Sequence, residues 1–330
     1  MARGEMTGTR AAVGELPVTP LWSTRAPGAT VRIRPPAPDA GALDRRAGCR
    51  GAGPPPGGRF GDAAFGTGRR IDIRRRPGWD GVMAETGRRR RAGYDGTGPG
   101  AITPDGCAVE LYERLPVGDE PEIVGRLVPA GAHILELGCG AGRVTHALLA
   151  RGFTVTAVDE SPEMLERVRG ARTVCSPIED LDLGARFGVV MLASFLVHAG
   201  DPEVRQGLLR TCRRHVAEDG VVLIQREPAD AHTRVPRERR LAGGGVVRVV
   251  AAEPAGPGVN AIRCEYDFPD ARWTQTFLSR PLAPREFEEA LAGAGLAVES
   301  YATEDGTWVR AVPSGAEGPA GSAGTAGRGV

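Results

Sequence analysis

Acidic residues stand at the ends of three short aliphatic segments of this 330-residue sequence. Glu136 lies in the first, just ahead of Gly138-Cys-Gly-Ala-Gly142, while Asp159 ends the second and Glu179 follows the third. Glycines at alternate positions let the backbone approach a ligand closely, because they carry no Cβ. Glu136 would repel a phosphate at this turn, so we expect a ligand with a cationic ammonium group there. Asp159 is suited to accept hydrogen bonds from both hydroxyls of a ribose.

The glycine-rich stretch departs from the dinucleotide-binding pattern G-x-G-x-x-G, because Arg143 stands where that pattern has its third glycine. Taken alone, Gly-x-Gly-x-Gly is also compatible with an ordinary tight turn, and each acid with a surface position. Three acids at three successive predicted strand ends favour a binding site, because open α/β sheets bind ligands beyond the carboxyl ends of their strands.

The segments around these acids alternate between predicted strands and helices. Continuous rather than alternating hydrophobicity predicts strands buried on both faces, as in a parallel sheet. Ser161-Pro162 and Asp201-Pro202 each supply an N-cap and a first-turn proline for a helix. This order of elements predicts a doubly wound α/β fold. The predicted strands are 134–137, 153–158, 173–175, 188–193 and 221–224, the last entered through a turn at Asp219-Gly220, and one predicted helix is 163–169.

Residues 228–283 have a different pattern, in which apolar and charged residues alternate from Ile262 to Phe268. This period of two predicts antiparallel strands with one face exposed to water. We expect its apolar face, with Tyr266, Phe268, Trp273 and Phe277, to roof an acceptor pocket or to form a dimer contact. A helix over 284–294 and a hairpin over 297–312, turning at Glu304-Asp-Gly306, are predicted to end the main sheet antiparallel.

This constellation resembles the class I S-adenosylmethionine-dependent methyltransferases, in register over residues 133–227 and less closely through residue 312. The resemblance implies a Rossmann-like, seven-stranded, mostly parallel sheet, with S-adenosyl-L-methionine as cofactor and S-adenosyl-L-homocysteine as product. Many relatives have an acid where this chain has Pro177, so the adenine amino group is left to Glu179 or to the backbone. The implied cofactor-binding residues are Tyr94 (as an aromatic gate), Glu136, Gly138, Cys139, Gly140, Asp159, Glu160, Met164, Ile178, Glu179, Ser194 and Phe195.

The reaction implied is methyl transfer by in-line displacement to an oxygen or nitrogen, less often a carbon, of a small molecule. His198 is the first candidate for a general base, since it follows the fourth predicted strand and imidazole titrates near neutrality. A structural histidine bound by backbone groups is the other interpretation, and Glu227 and His232 are weaker candidates. Two alternative functions stay open: an NAD(P)-dependent oxidoreductase and a non-catalytic protein that binds S-adenosylmethionine.

The first 100 residues differ in composition from the rest, with 18 arginines against 9 acids and 20 of the 48 glycines. Such a segment buries too little apolar surface to offset chain entropy. We therefore predict a disordered leader over 1–93 (with Met83 as a possible true start), one domain over 94–313 and a flexible tail over 314–330. The net charge of +1 and the absence of CxxC pairs and of a long apolar run predict a cytoplasmic monomer or homodimer without a metal, membrane or nucleic-acid partner.

Overall fold

The computed structural model describes residues 91–228 and 230–315. These residues form twelve strands and six α-helices. In chain order the strands are β1 (Asp95–Thr97), β2 (His133–Leu137), β3 (Thr154–Asp159), β4 (Arg172–Cys175), β5 (Phe187–Leu192), β6 (Val216–Gln225), β7 (Arg237–Arg240), β8 (Val246–Gly256), β9 (Val259–Asp267), β10 (Arg272–Ser279), β11 (Leu296–Tyr301) and β12 (Trp308–Pro313), and the helices are α1 (Val109–Arg114), α2 (Glu120–Leu127), α3 (Arg143–Ala150), α4 (Pro162–Leu165), α5 (Pro202–His215) and α6 (Pro284–Gly293).

Seven strands form the main sheet, in the order β11-β12-β6-β5-β2-β3-β4. The five strands from β4 to β6 are parallel, and β12 and β11 extend the sheet in antiparallel fashion. This confirms the predicted mostly parallel sheet with an antiparallel final hairpin. Strand order reverses between β2 and β5, so the carboxyl ends of these two strands border the crevice in which open α/β sheets bind ligands.

Helices cover both faces of the main sheet, as continuous apolar strands require. On one face α5 and α6 bury Leu208, Cys212 and Phe287 against the strands. On the other face α2 and α3 contribute Ile123 and Leu148 to a second core cluster. The side chains of Ser161 and Asp201 cap α4 and α5 as their positions predicted.

A second sheet, which we call the cap sheet, consists of β1 and β7 to β10 in the antiparallel order β1-β10-β9-β8-β7. The strands of the insert after β6 confirm the pattern read over residues 228–283. Tyr266 and Trp273, from the predicted apolar face, are fully buried beside Leu111 of α1. No pattern in the sequence indicated β1, which pairs with β10 from more than 170 residues away in the chain.

Two local predictions differ from the structure, and a third lies almost entirely outside the described residues. The helix predicted over 163–169 is only α4, after which the chain continues in turns. The turn predicted at Asp219-Gly220 lies inside β6, at a register shift opposite β5. The leader predicted over 1–93 lies outside the described residues except for 91–93, and Arg91 there is held against the domain by a backbone hydrogen bond to Pro104.

Most of the predicted tail, and the alternative start at Met83, also lie outside the described residues. Within residues 91–228 and 230–315, every helix is too short or too polar to cross a membrane.

Candidate functional site

A cavity of about 260 Å³ lies beyond the carboxyl ends of β2, β3, β5 and β6, with β9 and β10 of the cap sheet forming its opposite wall. It occupies the crevice where strand order reverses. Every residue predicted to bind the cofactor, together with His198, the first candidate base, lies on the lining of this one cavity. These residues are Tyr94, Glu136, Gly138, Cys139, Gly140, Asp159, Glu160, Met164, Ile178, Glu179, Ser194, Phe195 and His198.

The turn between β2 and α3 brings backbone, rather than side chains, to the cavity. Gly138 has a φ of 76° and Gly140 a φ of 54°, in the left-handed region where a side chain is strained. A Cβ on Gly138 would come within 2.6 Å of Leu196 Cδ1. The amide of Gly140 donates a hydrogen bond of 2.8 Å to Asp159 Oδ2, which ties the glycine turn to the end of β3.

Glu136 is a buried carboxyl at the end of β2, with only 3% of its surface exposed. Its Oε2 accepts a hydrogen bond of 2.6 Å from the hydroxyl of Thr145 on α3. Burial raises the pKa of Glu136 to about 7, although Thr145 and the charge of Arg143 act in the opposite direction. A cation arriving beside this carboxyl would favour its ionised form.

Asp159 lies at the end of the neighbouring strand β3, and its two oxygens accept hydrogen bonds from the amides of Gly140 and Ser161. Burial raises the pKa of Asp159 to about 6, against the effect of these two hydrogen bonds. The pattern orients the carboxyl while leaving lone pairs on both oxygens, since each oxygen has two. Asp159 is therefore fixed in place to accept further hydrogen bonds from a ligand.

Arg91 closes the same side of the cavity. Its guanidinium donates a hydrogen bond of 2.9 Å to Glu160 and lies 3.7 Å from Glu179. The side chains of Arg91 and the two acids remain 24–35% exposed, so water screens these ion pairs. The sequence did not single out Arg91, because it falls in the arginine-rich segment assigned to the leader.

The end of β5 adopts an unusual backbone conformation at the cavity. Ser194 and Phe195 have φ values of 55° and 62°, and neither is a glycine. Two consecutive left-handed residues cost about 1–3 kcal/mol each and occur most often at functional sites. The side chain of Gln225 holds this turn by accepting a hydrogen bond of 2.8 Å from the Ser194 amide.

The geometry does not favour His198 as a general base. Its Nε2 accepts a hydrogen bond of 2.9 Å from the amide of Glu227, and its Nδ1 lies 3.0 Å from the carbonyl oxygen of Arg280 and 3.2 Å from the amide of Leu282. Burial lowers the pKa of His198 to about 4. Both ring nitrogens bind backbone groups, so His198 has no lone pair left to accept a proton from a substrate. These contacts fit the structural interpretation of His198, and its role as a general base stays a prediction.

Glu227, a weaker candidate at the sequence level, lies on the lining just after β6 with 3% of its surface exposed. His232 is buried behind it, with Nε2 at 3.0 Å from Glu227 Oε2, but does not belong to the lining. Ser279 of β10 donates a longer hydrogen bond of 3.3 Å to the same oxygen. The pKa of Glu227 is lowered: burial alone would raise it, but the hydrogen bond from His232 and nearby positive charges outweigh burial.

Another polar group on the lining could not be found from the sequence, because its members come from distant segments. The thiol of Cys107 lies 3.1 Å from Tyr112 Oη and accepts a hydrogen bond of 3.1 Å from Gln275 Nε2 on the cap sheet. Burial raises the pKa of Cys107 well above its usual value, so the thiol stays neutral. These residues join the cap sheet to the loop before α1.

Three further predicted residues have mainly packing contacts. Tyr94 precedes β1 and donates a hydrogen bond of 3.3 Å to the carbonyl oxygen of Leu278, which places its ring against the cap sheet. Met164 is 2% exposed and packs beside Cys107. Ile178 is partly buried at the edge of the main core.

The lining suits a cationic nucleoside. Its charged groups are six carboxyls and two arginines, and Arg143 already forms an ion pair of 2.9 Å with Glu120 outside the lining. A buried carboxyl, a turn of bare backbone and a second oriented carboxyl follow one another from β2 to β3. Such a surface would bind an ammonium group at Glu136 and a ribose at Asp159.

Comparison with known proteins agrees with this interpretation. A family described as "Methyltransferase domain" matches residues 134–220, which run from β2 into β6. An uncharacterized methyltransferase of Mycobacterium tuberculosis is 46% identical over 67 residues, 20% of this chain and 28% of that protein. A ubiquinone biosynthesis O-methyltransferase of Xanthomonas axonopodis pv. citri is 30% identical over 162 residues, 46% of this chain and 64% of that protein. The chain thus matches less than two thirds of the length of either relative.

Among solved structures, an S-adenosylmethionine-dependent methyltransferase from Clostridium acetobutylicum is similar in fold, with a TM-score of 0.51 and 15% sequence identity. The similarity covers 62% of this chain and 97% of that one. The family match spans β2 and β3, which carry Glu136 and Asp159, and the turn after β4 that carries Glu179. Residues 134–220 of the chain thus match a methyltransferase-domain family, and the fold is similar to that of an S-adenosylmethionine-dependent methyltransferase.

Proposed function

We propose that this protein transfers a methyl group from S-adenosylmethionine to an oxygen or nitrogen of a small molecule. The observation that carries the proposal is the convergence of Glu136, the turn at Gly138–Gly140, Asp159 and Glu179 on one cavity. They come from three successive strand ends of the main sheet, in the order that the family requires. The cap sheet forms the opposite wall of the cavity, where an acceptor would lie beside the cofactor.

In this proposal each group holds one part of the cofactor. Glu136 binds the ammonium group, the bare backbone of the glycine turn lies along the methionine portion, and Asp159 accepts hydrogen bonds from the ribose. Ile178 and Glu179 flank the adenine. The bound cofactor supplies an electrophilic methyl carbon, so the protein needs no nucleophile of its own.

The rest of the site positions the acceptor and excludes water. Alignment of two reactants in this way lowers a barrier by roughly 7–11 kcal/mol in favourable cases. The left-handed turn at Ser194-Phe195 and the ring of His198 are held by hydrogen bonds, which favours a rigid acceptor side. The name of the Xanthomonas relative, an O-methyltransferase, supports an oxygen acceptor without deciding it for this chain.

Calorimetry with S-adenosylmethionine, S-adenosylhomocysteine and NAD tests cofactor choice directly. We expect both adenosyl compounds to bind and NAD not to bind, because Glu136 and Arg143 disfavour a dinucleotide at this turn. Asp159→Asn should weaken binding of S-adenosylhomocysteine by at least ten-fold. Asp180→Asn is the matched control, since Asp180 is exposed and outside the lining. Binding of NAD alone, or equal affinities of the two variants, would overturn the assignment.

Turnover separates an enzyme from a non-catalytic binding protein. Incubation of the full chain with labelled S-adenosylmethionine and a panel of hydroxylated and amino metabolites should give at least one labelled product. Binding of the cofactor with no product from the whole panel would favour the non-catalytic alternative. The oligomeric state, predicted as monomer or homodimer, stays a prediction.

A further inference from the structure

One buried carboxyl of the cavity has no part in holding the cofactor as proposed above. Glu227 follows β6, and β6 is two strands away from β2, about 10 Å across the sheet. Phe277, Leu278 and Ser279 of β10 belong to the same lining, and Ser279 donates a hydrogen bond to Glu227. Glu227 therefore faces the part of the cavity under the cap sheet, on the acceptor side.

Two residues of the cap sheet fix the orientation of this carboxyl. Asn260 and Ser279 are directly paired across β9 and β10. Asn260 Nδ2 lies 2.9 Å from His232 Nδ1, and Ser279 donates its hydroxyl to Glu227. With Asn260 as donor, the proton of His232 lies on Nε2, which donates to Glu227 Oε2 at 3.0 Å.

The free atom of this group is Oε1. Both side-chain hydrogen bonds of Glu227 end on Oε2, and among the described residues Oε1 accepts none. Because Glu227 is on the lining, a ligand in the cavity has access to a carboxylate oxygen that the protein has oriented and left without a partner.

Among the described residues, no arginine of the lining pairs with Glu227, although the charge of Arg237 acts on it from outside the lining. Arg91 pairs with Glu160 and Glu179, while Arg143 pairs with Glu120, so both arginines of the lining are engaged away from Glu227. Within the described part of the chain, the single ion-pair partner of Glu227 is His232. The lowered pKa of Glu227 keeps it ionised at neutral pH. A buried carboxylate of this kind gains most from a cationic ligand.

We propose that Glu227 is the acceptor-binding residue and that the acceptor is an amine, whose nitrogen binds Oε1. This inference rests on the proposed methyl transfer and narrows its acceptor from oxygen or nitrogen to nitrogen. His232, Asn260 and Ser279 are positioning residues that act through Glu227.

The chemistry of N-methylation agrees with this placement. An ammonium acceptor first gives up one proton, which passes to the carboxylate and from there to water. The nitrogen lone pair then forms the N–C bond while the S–C bond breaks, and the electron pair of the broken bond stays on sulfur. Positive charge thus moves from sulfur to nitrogen, where an oriented carboxylate stabilises it as it develops.

A binding experiment without turnover tests this inference. Benzylamine and benzyl alcohol have the same ring and nearly the same shape, but only the amine is cationic at pH 7. Each is titrated by NMR into the full chain saturated with S-adenosylhomocysteine. We expect benzylamine to bind the wild type at least ten-fold more tightly than benzyl alcohol. Glu227→Gln should reduce that preference at least five-fold, while its affinity for benzyl alcohol should stay within two-fold of the wild-type value.

Controls separate this inference from the proposed function. Affinity for S-adenosylhomocysteine is measured first in the wild type and in Glu227→Gln; its absence in the wild type contradicts the cofactor assignment, and its retention in the variant shows an intact fold. Glu253→Gln is matched in chemistry and net charge, but Glu253 is exposed on β8 and outside the lining. A wild type that binds S-adenosylhomocysteine and does not prefer benzylamine overturns the amine acceptor, whatever the variant does. A preference unchanged in Glu227→Gln overturns the role of Glu227.

Discussion

The two ends of the cavity each contain a glutamate that is 3% exposed, yet the pKa values of the two are shifted in opposite directions. Burial raises the pKa of Glu136 to about 7, because the hydroxyl of Thr145 and the charge of Arg143 do not offset the loss of water. Burial acts in the same direction on Glu227, but His232 and nearby positive charges lower its pKa below the usual value. Equal burial therefore does not mean equal charge.

This difference indicates two modes of binding a cation. The carboxyl of Glu136, with a pKa of about 7, is only partly ionised at neutral pH, so part of the binding free energy of a cation there is used to complete its ionisation. At the Glu227 end the carboxyl is already ionised, and hydrogen bonds from His232 and from Ser279 of the cap sheet orient it. Substitution of the two glutamates should therefore change the free energy of unfolding in opposite directions as well as by different amounts.

The largest effect is expected at the glycine turn of the Glu136 end. Gly138→Val places a β-branched residue at a φ of 76°, and its Cβ would lie within 2.6 Å of Leu196 Cδ1. Strain and overpacking together should cost about 2–5 kcal/mol of unfolding free energy and abolish binding of S-adenosylhomocysteine. Urea unfolding and calorimetry measure the two effects.

Gly125→Ala is the control for this substitution. Gly125 lies inside α2, and a Cβ there would meet no atom within 4 Å. Alanine should raise the unfolding free energy by up to about 1 kcal/mol. If Gly138→Val were as harmless as Gly125→Ala, the close approach assigned to the turn would be wrong.

The next largest effect on stability is expected for substitution of His198, which lies beside the Glu227 end. His198→Ala leaves the amide of Glu227 and the carbonyl of Arg280 without their partner, at a cost of roughly 2–4 kcal/mol. His198 has a folded pKa of about 4, below the usual 6.5, so its contribution is present above pH 6.5 and is lost as pH falls towards 4.

Urea unfolding at pH 5 and pH 8 should therefore show a smaller difference between His198→Ala and wild type at pH 5. His133→Ala, at an exposed position with one side-chain hydrogen bond, should cost under about 1 kcal/mol at both pH values. A changed pH profile of turnover in His198→Ala, with unchanged stability, would restore the histidine as a base.

The two buried glutamates can be tested by the direction in which their substitution changes the free energy of unfolding. The folded pKa of Glu136 is raised from 4.5 to about 7, so the stability that wild type derives from this group falls as pH rises through that window. Glu136→Gln should therefore be more stable than wild type at pH 8, by roughly 3 kcal/mol at most, and nearly equal to it at pH 5. Urea unfolding of the ligand-free protein at both pH values measures this.

Glu227→Gln should have the opposite effect. The pKa of Glu227 is lowered, so its contribution to stability is present above the usual value of 4.5 and is lost as pH falls below it. Replacement should lower the free energy of unfolding by about 1–3 kcal/mol at pH 8, because a charge-assisted hydrogen bond becomes a neutral one. Two variants that shift stability in the same direction at pH 8 would show that burial, not partners, controls both carboxyls.

The Glu136 end could be predicted in detail from the sequence. Glu136, Gly138, Gly140 and Asp159 lie within 24 residues, and their positions follow from local rules: aliphatic strands end where polar residues begin, and parallel strands bring those ends to one edge. Local patterns of this kind do not depend on distant parts of the chain.

The Glu227 end could not be predicted to the same extent, because it depends on pairing over long distances. β1 reaches the cap sheet from the far end of the domain, and Asn260 meets Ser279 only once β9 and β10 are in register. The period of two over residues 262–268 predicts strands but not their partners. His198 likewise has the residue type of a base, and only the folded chain shows that backbone groups occupy both its nitrogens.

The smallest effect is expected at Arg91, which lies at the exposed edge of the Glu136 end. Its ion pairs with Glu160 and Glu179 are 24–35% exposed, and pairs of this kind contribute about 0–1 kcal/mol. Arg91→Gln should change the affinity for S-adenosylhomocysteine by less than about five-fold, and the change should disappear at 1 M salt, where the Debye length is only about 3 Å. Calorimetry at 0.05 M and 1 M salt measures both quantities. A loss of more than ten-fold that persists in high salt would mean that Arg91 contacts the ligand itself, and the Glu136 end would then be preorganised by charge in the same way as the Glu227 end.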